Sequence, residues 1–196
     1  MLISGKPHKK SVCADPLRTP AQERELLRDL ARQAEQALTG VQMASMDELT
    51  LLSNRHGFLA LAQMALEACA QLERPATLLF FNLDDFKRIN YLFGRAEGDD
   101  ALKTFADVLR IGFRESDVIG RLEGATFVAL LTGSGSVDLT AIKARFEEML
   151  DERNATLHRG YDIRFSIGQI EYDPTVHGSF EELLAEAEKV LGRGVC

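Results

Sequence analysis

Paired cysteines, clustered histidines, long apolar runs and an excess of basic charge are all missing from this chain, and each absence removes a class of function. The three cysteines, Cys13, Cys69 and Cys196, are odd in number, widely spaced and form no Cys-x-x-Cys pair. That excludes a disulfide framework or a thiolate zinc site and points to reduced thiols in a cytoplasmic protein. The four histidines are scattered, with neither a His-Glu-x-x-His run nor a paired spacing, so no metal centre is expected from them. Runs such as Leu78 to Phe81 are far too short to cross a bilayer. Lys6, Lys9 and Lys10 make the N-terminus basic, but no apolar stretch follows, so neither a leader nor membrane insertion is expected. A net charge of −7 argues against nucleic acid as a partner, because a basic face is needed to displace counterions. A local basic pocket for a nucleotide is still compatible with that total.

What is present suits one α/β domain with a lead-in: 196 residues, 45% of them hydrophobic. Residues 1–18 carry no period. Thr19-Pro20-Ala21-Gln22 has the form of a helix start, with a threonine cap, proline at the first position and glutamine closing a capping box. Leu27, Leu30, Ala31, Ala34 and Leu38 then make one apolar stripe, and Gly40 is expected to end or break the helix. Two readings of this 19–46 segment stand: a helix packed on its own domain, or a signalling helix that forms a homodimer through residues 20–39. Downstream, helices are expected at 55–72, 97–113, 138–150 and from Ser179. Strands are expected at 76–81, 118–122, 127–131 and 163–170. The run Ala76-Thr77-Leu78-Leu79-Phe80-Phe81 suits a buried central strand.

Several ordered motifs carry a resemblance. Asp47-Glu48-Leu49-Thr50 with Asn54-Arg55 looks like a DxLTGLxNR opening, and Asn82 to Asn90 looks like DxDxFKxIN. Gly98-Asp99 stands for a GD pair, Ser166-Ile167-Gly168 for a SIG strand, and Glu123-Gly124-Ala125-Thr126-Phe127 for Gly-Gly-Asp-Glu-Phe. Over residues 47–196 the chain resembles the GGDEF family, bacterial diguanylate cyclases that condense two GTP into cyclic di-GMP. The resemblance implies an α+β sandwich with a central, mostly antiparallel five-stranded sheet flanked by helices, of nucleotidyl-cyclase, ferredoxin-like type. The stretch Ser11 to Ala31 also resembles the last strand and helix of a GAF sensory domain, too little chain to form a ligand pocket.

At the synthesis site the family's chemistry is depleted. The resemblance implies that the first aspartate of DxDxFK and an acid of the signature turn hold magnesium, which prefers carboxylate oxygens. Those positions are Asn82 and Thr126 here, neutral oxygens both. Ala125 replaces the acid implied to help activate the attacking hydroxyl and can do no acid–base chemistry. Glu123 replaces a glycine that lets the backbone approach phosphate. At roughly 4 Å its charge repels a phosphate by about 1 kcal/mol in water and about 4 at a surface-like dielectric. The family's C-terminal YxAK lysine has no counterpart, since the chain reads Gly192-Arg193-Gly194-Val195; Arg193 is a substitute only under a shifted alignment. An inactive synthesis site is expected, with a weak cyclase that recruits Asp84, Asp85 or Glu123 as metal ligands kept as an alternative. Asn90 and Asp99 stand where the resemblance implies guanine recognition; the other reading is a helix-capping asparagine and a solvated aspartate. No cofactor is required on this reading, magnesium entering only with residual GTP.

Arg114-Glu115-Ser116-Asp117 resembles the family's RxxD inhibitory-site motif, with five residues between it and the signature. Arginine presents a planar fork to guanine O6 and N7 and stacks on a base. Aspartate accepts from N1–H and N2–H on the opposite edge. Arg145 resembles the arginine that completes such a site. The expectation is a cyclic di-GMP receptor reading its ligand through Arg114, Asp117 and Arg145, with ligand cross-linking as a second route to a homodimer. Competing with it are a surface ion pair, worth little to stability, and a nucleotide-independent module for an unknown protein partner.

Overall fold

A computed structural model describes residues 20–133 and 137–193. The element order is α1 (Pro20–Ala44), α2 (Arg55–Gln71), β1 (Ala76–Leu83), α3 (Phe86–Phe93), α4 (Arg95–Gly112), β2 (Val118–Glu123), β3 (Thr126–Thr132), α5 (Leu139–Leu157), β4 (Phe165–Glu171) and α6 (Phe180–Arg193). Two units are distinguished, one ending at Val41 and one beginning at Gln42. The first holds the α1 helix as far as Val41, on which Leu26, Leu27 and Leu30 are exposed. Gly40 does not end it. One interior glycine costs a helix only about 1 kcal/mol relative to alanine, and a 25-residue helix runs through it. Residues 1–19, including the expected Thr19 cap and the stretch of GAF likeness before Pro20, lie outside the described residues.

The second unit is an antiparallel sheet in the order β2-β3-β1-β4 with helices on both faces. Among the described residues it has four strands rather than the expected five. Four apolar runs are what the residues themselves supply; the fifth strand came with the family resemblance alone. Expected strand 163–170 also starts late, at Phe165, because the Ile163 backbone is taken up elsewhere. Its N–H donates to Asn154 Oδ1 at 3.0 Å, and its carbonyl accepts from Asn154 Nδ2 at 3.2 Å.

Strand β1 is central and apolar throughout because both its faces are covered. Leu79, Phe81 and Leu83 pack with α4 and α5 residues such as Leu102, Phe105 and Phe146. Leu78 and Phe80 pack with α2 and α6 residues such as Phe58, Leu66 and Leu183. The Ser-Ile-Gly motif has a steric reason here: a Cβ on Gly168 would stand 2.1 Å from the Phe80 ring.

Helix α2 ends in a Schellman motif. Arg74 N–H donates to Cys69 O at 2.8 Å and Glu73 N–H to Ala70 O at 3.3 Å. Glu73 occupies the left-handed position, φ 52°, where glycine is the unstrained residue. Glu73→Gly should therefore stabilise the domain by about 1 kcal/mol, raising Tm by ~3 °C in a thermal melt. An unchanged or lower Tm would contradict the strain assigned to Glu73.

Candidate functional site

The ends of β1, β3 and β4 place the motif positions Asn82 and Thr126 side by side, with Ser166 beyond them. Asn82 is in register with Thr126 on one neighbour and Ser166 on the other, so the three side chains share the face on which Phe80 and Val128 lie. Asn82 and Thr126 are half-buried. Asp84 follows, its Oδ1 accepting from Ser166 Oγ at 2.8 Å. Two carboxylates border this row: Asp84, already held by a hydroxyl, and Glu123, which pairs with Thr126 and is exposed. Among the described residues no three Asp, Glu, His or Cys side chains converge as metal ligands do. Asn82 and Thr126 offer neutral oxygens where magnesium favours carboxylates.

The signature turn is a two-residue hairpin loop, Gly124-Ala125, between the paired residues Glu123 and Thr126. Gly124 is left-handed, φ 55°, so this retained glycine serves the turn itself. Glu123 is exposed, and the Ala125 side chain packs against the core. The turn is held by two residues whose roles the motif reading missed. Arg121 donates from Nε (3.0 Å) and Nη2 (2.8 Å) to Gly124 O. Its Nη1 bonds both Asp47 oxygens, at 3.0 and 3.1 Å. Asp47 in turn accepts from the Thr50 N–H and hydroxyl, at 2.8 and 2.6 Å. Burial alone would raise the Asp47 carboxyl, but the Thr50 and Arg121 hydrogen bonds outweigh it and hold the pKa below its ordinary 3.8. The pair spans 74 positions, and no local sequence signal marks it.

Asn90 is not a helix cap, contrary to one of the two readings above, whereas Asp99 is solvated as that reading has it. Asn90 lies inside α3, whose N-cap is Asp85, and Asp99 lies within α4, whose N-cap is Gly94. The Asn90 amide is half-buried against Gly98, where a Cβ would fall 1.9 Å from its Oδ1. Asp99 is exposed. On the other side of α3 a cleft of about 270 Å³ runs between Arg88, Leu92, Tyr161 and Arg164. Burial pushes the Tyr161 phenol up to about 12, against the Arg159 charge and with the help of its hydrogen bond to Glu97. Tyr161 is thus a neutral donor at physiological pH rather than a base.

The Arg114–Asp117 motif forms the turn between α4 and β2. Asp117 N–H donates to Arg114 O at 3.0 Å, and Arg114 N–H returns to Asp117 Oδ2 at 3.0 Å. The carboxylate thus braces the backbone rather than the arginine head. The exposed Arg114 guanidinium has no hydrogen bond or ion pair among the described residues, so the surface-ion-pair reading has no counterpart there. Arg145 reaches the same corner from α5. Its Nη2 donates to Gly112 O at 2.5 Å, two residues before Arg114, and its guanidinium lies 5.3 Å from the Phe146 ring centroid. The structure therefore brings Arg114, Asp117 and Arg145 to one end of β2 and leaves Glu123 to Thr126 at the other. Six strand residues put these two places ~20 Å apart.

Known proteins share this fold. The chain is 29% identical over 149 residues to the probable diguanylate cyclase DgcC of Escherichia coli, covering 76% of this chain and 40% of that protein. It is 33% identical over 150 residues to the cyclic di-GMP phosphodiesterase NbdA of Pseudomonas aeruginosa, covering 76% of this chain and 19% of that one. The chain thus spans less than half the length of these relatives. Among solved structures, the coiled coil and GGDEF domain of DgcB from Caulobacter crescentus, in complex with c-di-GMP, has the same fold. It superposes with a TM-score of 0.73 at 21% identity, over 89% of this chain and 94% of that one. The family model described as diguanylate cyclase, GGDEF domain, matches residues 44–194, and the chain accordingly belongs to the GGDEF family.

Proposed function

We propose that this GGDEF domain is a cyclic di-GMP receptor that does not make the nucleotide. The observation that carries the reading is the self-braced RxxD turn: backbone bonds close it and leave the Arg114 guanidinium unengaged, with Arg145 beside it. The backbone of the turn is thereby pre-organised, so little backbone freedom is lost on binding. The same ligand in the DgcB complex supports the choice. Against synthesis stand the neutral side chains of Asn82 and Thr126 at two expected metal-ligand positions, and Ala125 turned to the core. The α1 leucines favour a homodimer as the output, since an exposed apolar stripe on a helix seeks a partner.

Titration calorimetry with cyclic di-GMP tests the first half, and saturable heat with micromolar or tighter affinity is expected. Incubation with GTP and magnesium, read by chromatography, tests the second, and no product is expected. Absence of binding heat sinks the receptor; measurable cyclic di-GMP sinks the inactive synthesis site. Sedimentation with and without ligand separates a ligand-gated dimer from a nucleotide-independent one.

A further inference from the structure

The RxxD turn has a second side. Behind it, a cleft of about 230 Å³ lies between the end of α2 and the end of β3, lined by Ala65, Ala68, Leu72, Arg74, Ser116 and Thr132 among others. Ser116 is the third residue of the RxxD turn, so the cleft is continuous with that motif. Thr132 Oγ1 donates to Ser116 O at 3.3 Å and ties the turn to the sheet at this point. Arg74 is placed by the Schellman end of α2, and its stem runs along Gly133, with Cδ 3.4 Å from where a Cβ would stand there. The Arg74 head is exposed and has no hydrogen bond or ion pair among the described residues.

A cyclic dinucleotide has needs that Arg114 and Asp117 do not meet. They read one guanine edge, yet the ligand also carries two phosphodiester charges and a second purine. The cleft offers what is left: a guanidinium and the Ser116 hydroxyl for phosphate, and an apolar wall at Ala68 and Leu72 for a flat ring face. We propose that Arg74 is a ligand-binding residue, holding a phosphodiester of the cyclic dinucleotide whose guanine sits on Arg114. This rests on the reading of Arg114 and Asp117 as the guanine site. Because the cleft is smaller than the whole ligand, only part of the molecule enters it and the rest stays over the turn.

The experiment is a calorimetric titration of the full chain with cyclic di-GMP at about 50 and 200 mM salt, for wild type, Arg74→Ala, Arg74→Lys and Arg114→Ala, with thermal melts alongside. Arg74→Ala should bind about tenfold more weakly, with a shallower salt dependence and an unchanged Tm, because one phosphate contact is gone. Arg74→Lys, keeping the charge, should recover most of the affinity. If Arg74→Ala binds like wild type while Arg114→Ala does not bind, Arg74 has no part and the guanine site stands. If wild type itself does not bind, the guanine reading fails and this inference falls with it.

Discussion

Replacing Arg114 by alanine should weaken cyclic di-GMP binding about 100-fold while leaving the fold intact. The size follows from the chemistry: a bidentate arginine–guanine contact contributes about 1–3 kcal/mol, and loss of stacking adds to it. The fold is spared because the Arg114 side chain makes no bond among the described residues, whereas its backbone makes two within the turn. Arg114→Lys should restore little, since an ammonium cannot fork onto O6 and N7 together. Asp117→Ala is a less clean probe. It removes an acceptor for the guanine edge and also the oxygen that braces the Arg114 N–H. Asp117→Asn keeps an oxygen for the brace and loses the charge, so it should lower affinity with a smaller change in Tm. Calorimetry for affinity and circular dichroism for melting check all three; an Arg114→Ala variant binding within threefold of wild type would overturn the assignment.

What could be read from the chain alone was whatever is local. The 76–81 run announced a two-sided strand because every residue in it needs cover, and RxxD announced itself by spacing to a motif six residues downstream. The substitutions at the motif positions are local too; that Asn82, Thr126 and Ser166 form one row needed the strand register. Helix α3 escaped because it is only eight residues long and starts at Asp85, left-handed and without a side-chain cap bond. Gly40 misled because one glycine weighs less than the stripe around it. The Asp47–Arg121 pair was invisible for another reason. Two opposite charges 74 positions apart resemble any other two until the sheet brings them together.

That pair should be the most sensitive electrostatic point of the domain. Arg121→Ala strips the Gly124 carbonyl of two donors and leaves Asp47 without its cation, both in a partly buried setting. Leaving a partly buried charge and a carbonyl unpaired costs about 2–4 kcal/mol, enough to lower Tm by ~10 °C. The pH dependence has a definite sign. Asp47 titrates below its ordinary 3.8 in the folded protein, so its contribution is fully present above that value and is lost as pH falls through the folded pKa. Arg121→Ala removes one of the causes of the lowered pKa, so acid unfolding of the variant should begin at higher pH than in wild type. Asp47→Asn, carrying no charge to titrate, should be destabilised at neutral pH and lose that part of the acid dependence. Denaturant melts at pH 7 and pH 3.5 separate these outcomes. A wild-type and an Arg121→Ala protein that lose stability in parallel on acidification would show that Asp47 does not anchor the turn. Because the turn it anchors lies ~20 Å along β2 from Arg114, cyclic di-GMP affinity in the folded variant should stay within threefold of wild type.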